Sequence, residues 1–204
     1  MFTVYWILAG LLTFTGAAAL LGRQLRHKPS KENAERSSRI MHTLFFAGLI
    51  APGTLALFYP GLTRFDDLLG MPSLPVRAAF LGLGILMLIP GFYLLVGSNM
   101  LLRTKGSGAN AFVLTRRIVA DDLYRRTRNP MSLGYYLCNL ALGFMAGSTS
   151  ITLGALLLVI PAHLFFLLYF EETELALRLG DSYLVYKRNT PFLFPRLSAV
   201  KEVA

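Results

Sequence analysis

Apolar residues along this chain gather in long unbroken runs, without the alternation that a half-buried soluble element shows. Five stretches stand out: roughly Phe2–Gly22, Ile40–Pro60, Val76–Asn99, Met131–Ala146 and Ile151–Phe170. Each is near the ~20 residues that a helix needs to cross about 30 Å of hydrocarbon. The fourth is the shortest, so it is expected to tilt little or to lie partly in the interface. Only Gly147-Ser148-Thr149-Ser150 separates the fourth from the fifth, which predicts a tight helical hairpin. The expected fold is therefore all-α: a polytopic membrane protein of about five transmembrane helices, the last two forming the hairpin. Gly10, Gly16 and the neighbouring alanines suit close helix approach in lipid. Pro52-Gly53 and Pro90-Gly91 predict kinks in the second and third spans.

Composition agrees with that pattern. Of 204 residues, 54% are hydrophobic and only 15% charged, which is a membrane composition. Twenty Lys and Arg against 11 Asp and Glu give a net charge of +9, and the placement of those charges decides what it means. Arg23, Arg26, Lys28, Lys31, Arg36 and Arg39 occupy the first connection. Arg103, Lys105, Arg116, Arg117, Arg125, Arg126 and Arg128 occupy the third. Arg178, Lys187, Arg188, Arg196 and Lys201 lie in the tail. The Gly61–Pro75 connection has only Arg64, balanced by Asp66 and Asp67, with Arg77 at the edge of the third span. Alternating connections put nearly all positive charge on one side. The positive-inside rule makes that side cytosolic, with the N-terminus outside and the C-terminus inside. Topology thus accounts for the basic balance, and no nucleic-acid partner is implied. The first stretch lacks a basic segment before it and has one after it, which predicts a retained anchor rather than a cleaved signal. Cys138 is the only cysteine, which excludes an intrachain disulfide, and the sequence has no metal-ligand cluster.

Polar segments flank the hairpin on its basic side. In Tyr124-Arg125-Arg126-Thr127-Arg128-Asn129-Pro130-Met131-Ser132-Leu133-Gly134, Asn before Pro reads as an N-cap with proline at the first helical position. The amides of Met131 and Ser132 then remain open at the positive end of the helix dipole, where a carboxylate or phosphate is favoured; a merely well-capped membrane helix accounts for the same residues. Directly after the fifth span come Glu171-Glu172 and Glu174. Topology does not account for acidic residues there, and they suit an ammonium, a ribose diol or the surroundings of a sulfonium. For Glu174 a solvated surface pair with Arg178 is the simpler expectation. The run Leu179–Arg188 carries Gly180 as a helix breaker and Tyr183 and Tyr186 as interfacial anchors. His163 lies inside the fifth span, either packed between helices or facing a cavity as a base. His42 lies near a span edge. Gly106-Ser107-Gly108 lacks the strand and the remaining glycines of a phosphate loop and is set aside.

In order and spacing these pieces resemble the isoprenylcysteine carboxyl methyltransferase and phospholipid methyltransferase superfamily of integral membrane enzymes. The shared pattern is Tyr124-x-x-x-Arg128-Asn129-Pro130-x-x-x-Gly134, a hairpin, then Glu171-Glu172-x-x-Leu175-x-x-x-Leu179-Gly180-x-x-Tyr183-x-x-Tyr186 and a closing proline, over about Gly106–Pro195. The resemblance implies S-adenosyl-L-methionine (SAM) as cofactor and a lipophilic or small methyl acceptor: an isoprenylcysteine-type carboxylate, a phospholipid amine or a thiol. By the same resemblance Tyr124, Asn129, Pro130, Met131 and Ser132 line the cofactor pocket with Glu171 opposite, and Arg116, Arg117, Ile118 and Val119 form a backbone-contacting segment. Residues 1–99 then serve as a three-helix scaffold, and 100–204 as the methyltransferase region with a cytosolic C-terminal helix. Ser132 stands where relatives often carry Tyr. Leu167 stands where the prenylcysteine enzymes carry an Arg, which weighs against that acceptor. No catalytic side chain and no obligate protein partner is indicated, and membrane lipids are the expected surroundings. The competing readings are an NADPH-dependent membrane reductase of the sterol-reductase type and a non-catalytic membrane scaffold.

Overall fold

A computed structural model describes residues 1–106 and 114–195. Ser107 and Gly108 of the glycine run, and Arg196 and Lys201 of the tail, lie outside the described residues. Those described contain helices and turns and no strand. The long helices are α1 (Phe2–His27), α2 (Lys31–Phe58), α4 (Arg77–Lys105) and α7 (Thr149–Leu179). These four are long and apolar enough to cross a membrane. Between them lie α3 (Phe65–Leu69), α5 (Asp122–Arg126) and α6 (Pro130–Ala146), and α8 (Asp181–Asn189) closes the chain. The expected fourth span, α6, has 17 residues. At 1.5 Å per residue it is about 25 Å long, just short of a bilayer's hydrocarbon.

The first basic connection is mostly helical. Only Lys28, Pro29 and Ser30 separate α1 from α2, and Ser30 accepts a hydrogen bond from the Asn33 amide at 3.0 Å as an N-cap. The Ala, Glu and Arg residues that follow are compatible with helix, so α2 starts in water well before its apolar run. Two long helices also contain π-turns: Phe46–Ile50 in α2, and Ala155–Val159 and Leu167–Glu171 in α7. Pro52 and Pro161 each follow a π-turn closely. Proline removes one amide donor and crowds the carbonyl four residues back, and a wider turn accommodates both effects. Pro90 lies inside α4.

Phe14, Leu25, Met41, Leu167 and Phe170 form a fully buried core between α1, α2 and α7. Gly10 permits the close approach of α1 to α2, since a Cβ there would stand 1.9 Å from the Gly48 carbonyl oxygen. Gly16 has nothing within 4 Å of the equivalent position, so it plays no such part. On the other flank α4 lies along α6, with a Cβ at Gly134 only 2.6 Å from the Gly91 oxygen.

The hairpin turn is locked by Asp66 of α3, 3% exposed. Its carboxylate accepts from the Ser150 amide (2.7 Å), the Ser150 hydroxyl (2.5 Å), the Thr149 amide (3.1 Å) and the Ser148 hydroxyl (3.1 Å). Burial alone would raise its pKa, but these hydrogen bonds together hold it below the ordinary carboxylate value. All of this occupies the end of the bundle opposite the basic residues.

Candidate active site

At the basic end, Asn129 and Pro130 start α6 in the expected way, as N-cap and first helical residue. The Asn129 side chain does not bond its own helix. It donates instead to the Phe192 carbonyl at 2.9 Å. Its neighbours bind the same strap of tail. The Thr127 hydroxyl donates to the carbonyls of Phe192 (3.2 Å) and Leu193 (2.9 Å). The Arg128 amide donates to the Pro191 carbonyl at 2.8 Å. The Arg128 guanidinium donates to the carbonyls of Lys187 (2.6 Å) and Thr190 (2.9 Å) and pairs with the Glu172 carboxylate at 2.5 Å. Lys187 meets the other Glu172 oxygen at 2.6 Å. Three consecutive residues therefore bind segment 187–193 beside the first turn of α6.

A second cluster ties segment 114–119 to the end of α7. Arg178 pairs with Glu174 at 2.5 Å and donates to the Thr115 carbonyl. Arg117 donates to the Lys105 carbonyl at 2.5 Å. Glu174 is 1% exposed, so the expected solvated pair is a buried one. The geometry explains this: π-turn Leu167–Glu171 shifts the face that follows it, and the helix end packs on α2. Of the expected backbone segment, Val119 is buried, Ile118 half-buried, and Arg116 and Arg117 are exposed.

Glu171 is half-buried and has no ion pair or hydrogen bond among the described residues. Three phenols lie within reach of its charge: Tyr124, Tyr136 and Tyr183. Burial pushes the Tyr124 hydroxyl well above the phenol range, and the Tyr186 and Glu171 groups add to the rise. Tyr183 rises for the same first reason, then from Glu172 and Glu171. Both phenols thus stay protonated in the neighbourhood of Glu171. Tyr186 donates to the Tyr124 carbonyl at 2.7 Å, fastening α8 to α5. Ser98 Oγ of α4 is buried beside Tyr124 but out of hydrogen-bond geometry with it, and it has no partner among the described residues.

Deeper in the bundle, toward the hairpin turn, lies an apolar cavity of about 210 Å³. Its walls include Leu11, Leu49, Leu142 and Val159, with Leu8, Leu57 and Leu158 exposed at its edges. Tyr135 and Asn139 of α6 line it as well.

The structure brings Tyr124, the start of α6 and Glu171 to one end of the bundle, with segment 114–119 alongside. The roles of Thr127 and Lys187 were not visible in the sequence, because both act through the backbone carbonyls or carboxylate of segments distant in the chain. Arg128 and Glu172 carried a signal only as members of the ordered motif. In comparison with known proteins, a family model described as phospholipid methyltransferase matches residues 79–181, about half the chain. No curated protein and no solved structure matches.

Proposed function

This chain belongs to the phospholipid methyltransferase family, and on that premise we propose that it moves a methyl group from SAM to a lipophilic acceptor at the cytosolic interface. The observation that carries this reading is the Glu171 side chain, without a hydrogen-bond or ion-pair partner among the described residues and set near phenols at the end of the bundle where α6 begins. Bound there, SAM supplies an electrophilic methyl group on a sulfonium.

The residues present fit that cofactor. The open amides of Met131 and Ser132 suit its carboxylate. Glu171 suits its ammonium or ribose hydroxyls. The faces of Tyr124 and Tyr183 suit a sulfonium cation. Segment Arg116–Val119 contributes backbone nearby, and the strap from Lys187 to Leu193 screens the start of α6 from water. Because methyl transfer disperses charge, alignment and exclusion of water do most of the work, and no acid–base dyad is required. The apolar cavity accepts a hydrocarbon chain. Residues 1–99 act as scaffold and 100–204 carry the chemistry. The basic end faces the cytosol, so that the N-terminus is outside and the C-terminus inside.

The test is binding. SAM should raise the thermal midpoint of the purified protein and NADPH should not, and Glu171→Gln should weaken SAM by roughly tenfold or more, as expected when a charged hydrogen bond is lost. Unchanged SAM affinity in Glu171→Gln refutes the pocket. The mass of the product formed from labelled SAM and total membrane lipids identifies the acceptor.

A further inference from the structure

His163 is buried in the middle of α7, 6% exposed. Its Nδ1 lies 2.8 Å from the Tyr136 hydroxyl of α6. Aromatic rings wall the imidazole: Phe45 at 5.1 Å between centroids, Tyr135 and Phe166 each at 5.6 Å, and Phe14 stacked at 6.3 Å. A polar pair inside hydrocarbon is costly, and apolar residues of the same volume would pack these helices as well or better. Stability therefore gives no reason for the pair.

Two features connect it to the site. First, the Tyr136 hydroxyl is within range of the Glu171 charge. Second, π-turn Leu167–Glu171 lies between His163 and Glu171. Eight residues of ordinary helix, at about 100° each, would leave these side chains about 80° apart around the axis. A π-turn absorbs one extra residue and removes up to about 100° of that rotation, which returns Glu171 toward the face of His163. The irregularity thus aligns the buried pair with the proposed pocket.

The direction of the hydrogen bond follows from counting partners. A neutral imidazole has one acceptor nitrogen. If Nδ1 accepts, the phenol proton is satisfied. In that arrangement only the Nε2–H is left over, whereas an Nδ1 that donates leaves both the phenol proton and the Nε2 lone pair without a partner among the described residues. Buried polar groups favour the arrangement with fewer orphans.

We propose that Tyr136 is a catalytic residue whose hydroxyl, its proton committed to His163 Nδ1, turns its free lone pair toward Glu171 and accepts the hydrogen bond of the methyl acceptor's protic group. His163 is the positioning residue that aims it. No proton transfer is assigned to the pair, and the proposal rests on the SAM reading above.

The test uses the full-length protein in detergent with labelled SAM and micelles of lipids extracted from the membranes of the expression host. Tyr136→Phe removes one oxygen and keeps the ring. It should lower kcat roughly ten- to a hundredfold, the effect of one lost hydrogen bond to a reacting group, and leave the SAM Kd within about twofold. His163→Phe should do the same. His163→Asn keeps an acceptor near the Nδ1 position and should recover part of the loss. A readout free of turnover is the ¹⁵N spectrum of histidine-labelled protein. Nδ1 of His163 should appear as an unprotonated, hydrogen-bonded nitrogen, and its signal should shift in Tyr136→Phe. Full turnover in Tyr136→Phe, or a protonated Nδ1 in the wild type, overturns the assignment and leaves the SAM reading standing. Wild type that does not bind SAM overturns both. Wild type that binds SAM but labels no lipid overturns this inference alone.

Discussion

Replacing Arg128 with Leu should release the C-terminal strap. The Arg128 side chain is 11% exposed and Glu172 is 10% exposed, so their 2.5 Å ion pair is largely shielded from water. Leu removes that pair and the two donations to the Lys187 and Thr190 carbonyls. Removing one partner of a buried pair costs about 3–5 kcal/mol, because the other charge is left stranded. Lys187 stays on Glu172 at 2.6 Å and offsets part of this, while the freed carbonyls add to it where water does not reach them. A net loss of about 3–4 kcal/mol corresponds to roughly a hundred- to a thousandfold increase in the open strap. Limited trypsin digestion reads this directly, since Lys187 and Arg188 lie in the last turn of α8, where the strap begins: cleavage there should accelerate by that order, while cleavage at Arg23 or Arg39 is unchanged. Arg128→Lys, which keeps the charge without the fork, should fall between. If Arg128→Leu is cleaved at Lys187 no faster than wild type, the strap does not depend on this guanidinium and the argument fails.

Asp66→Asn should destabilise the hairpin turn by about 1–3 kcal/mol, the range for a lost cap and weakened charged hydrogen bonds. Because the folded-state pKa of Asp66 lies below its ordinary value, its contribution is complete above the ordinary carboxylate range and disappears as pH falls through the folded value. The thermal midpoint of wild type should therefore drop more on acidification than that of Asp66→Asn; equal slopes would contradict the shift. Gly10→Ala forces a Cβ to within 1.9 Å of a backbone oxygen and should cost about 1–3 kcal/mol by overpacking. Gly16→Ala meets nothing within 4 Å and should be neutral or stabilising by up to about 1 kcal/mol from helix propensity. Midpoints in one detergent compare the two, and equal effects would refute the packing at Gly10.

The helices were legible because apolar run length is a one-dimensional signal, and Asn129-Pro130 marked the start of α6 to the residue. Helix ends in water were not, because α2 continues through Lys, Glu and Arg residues that hydropathy assigns to a connection. Glu174 shows the same limit for the site. Its spacing to Arg178 was plain, but its burial depends on a π-turn upstream and on α2 packing over it, neither of which periodicity encodes. The strap was illegible for a related reason. Backbone carbonyls at Lys187, Thr190 and Phe192 have no side-chain signature, so only the donors Thr127, Arg128 and Asn129 appear in the sequence.

The brevity of α6 has a consequence for where this protein works best. Measured from the hairpin turn, its first residue lies about 25 Å away, whereas Glu171 on α7 lies about 33 Å away. In a thin bilayer the floor of the site meets the headgroups. In a sterol-thickened one the proposed site sits several ångströms down among acyl chains, and the SAM proposed to bind there must descend further to reach it. On the proposed reading, membrane thickness becomes a dial on turnover, set by the organelle or organism in which the chain resides and not by any residue of its own.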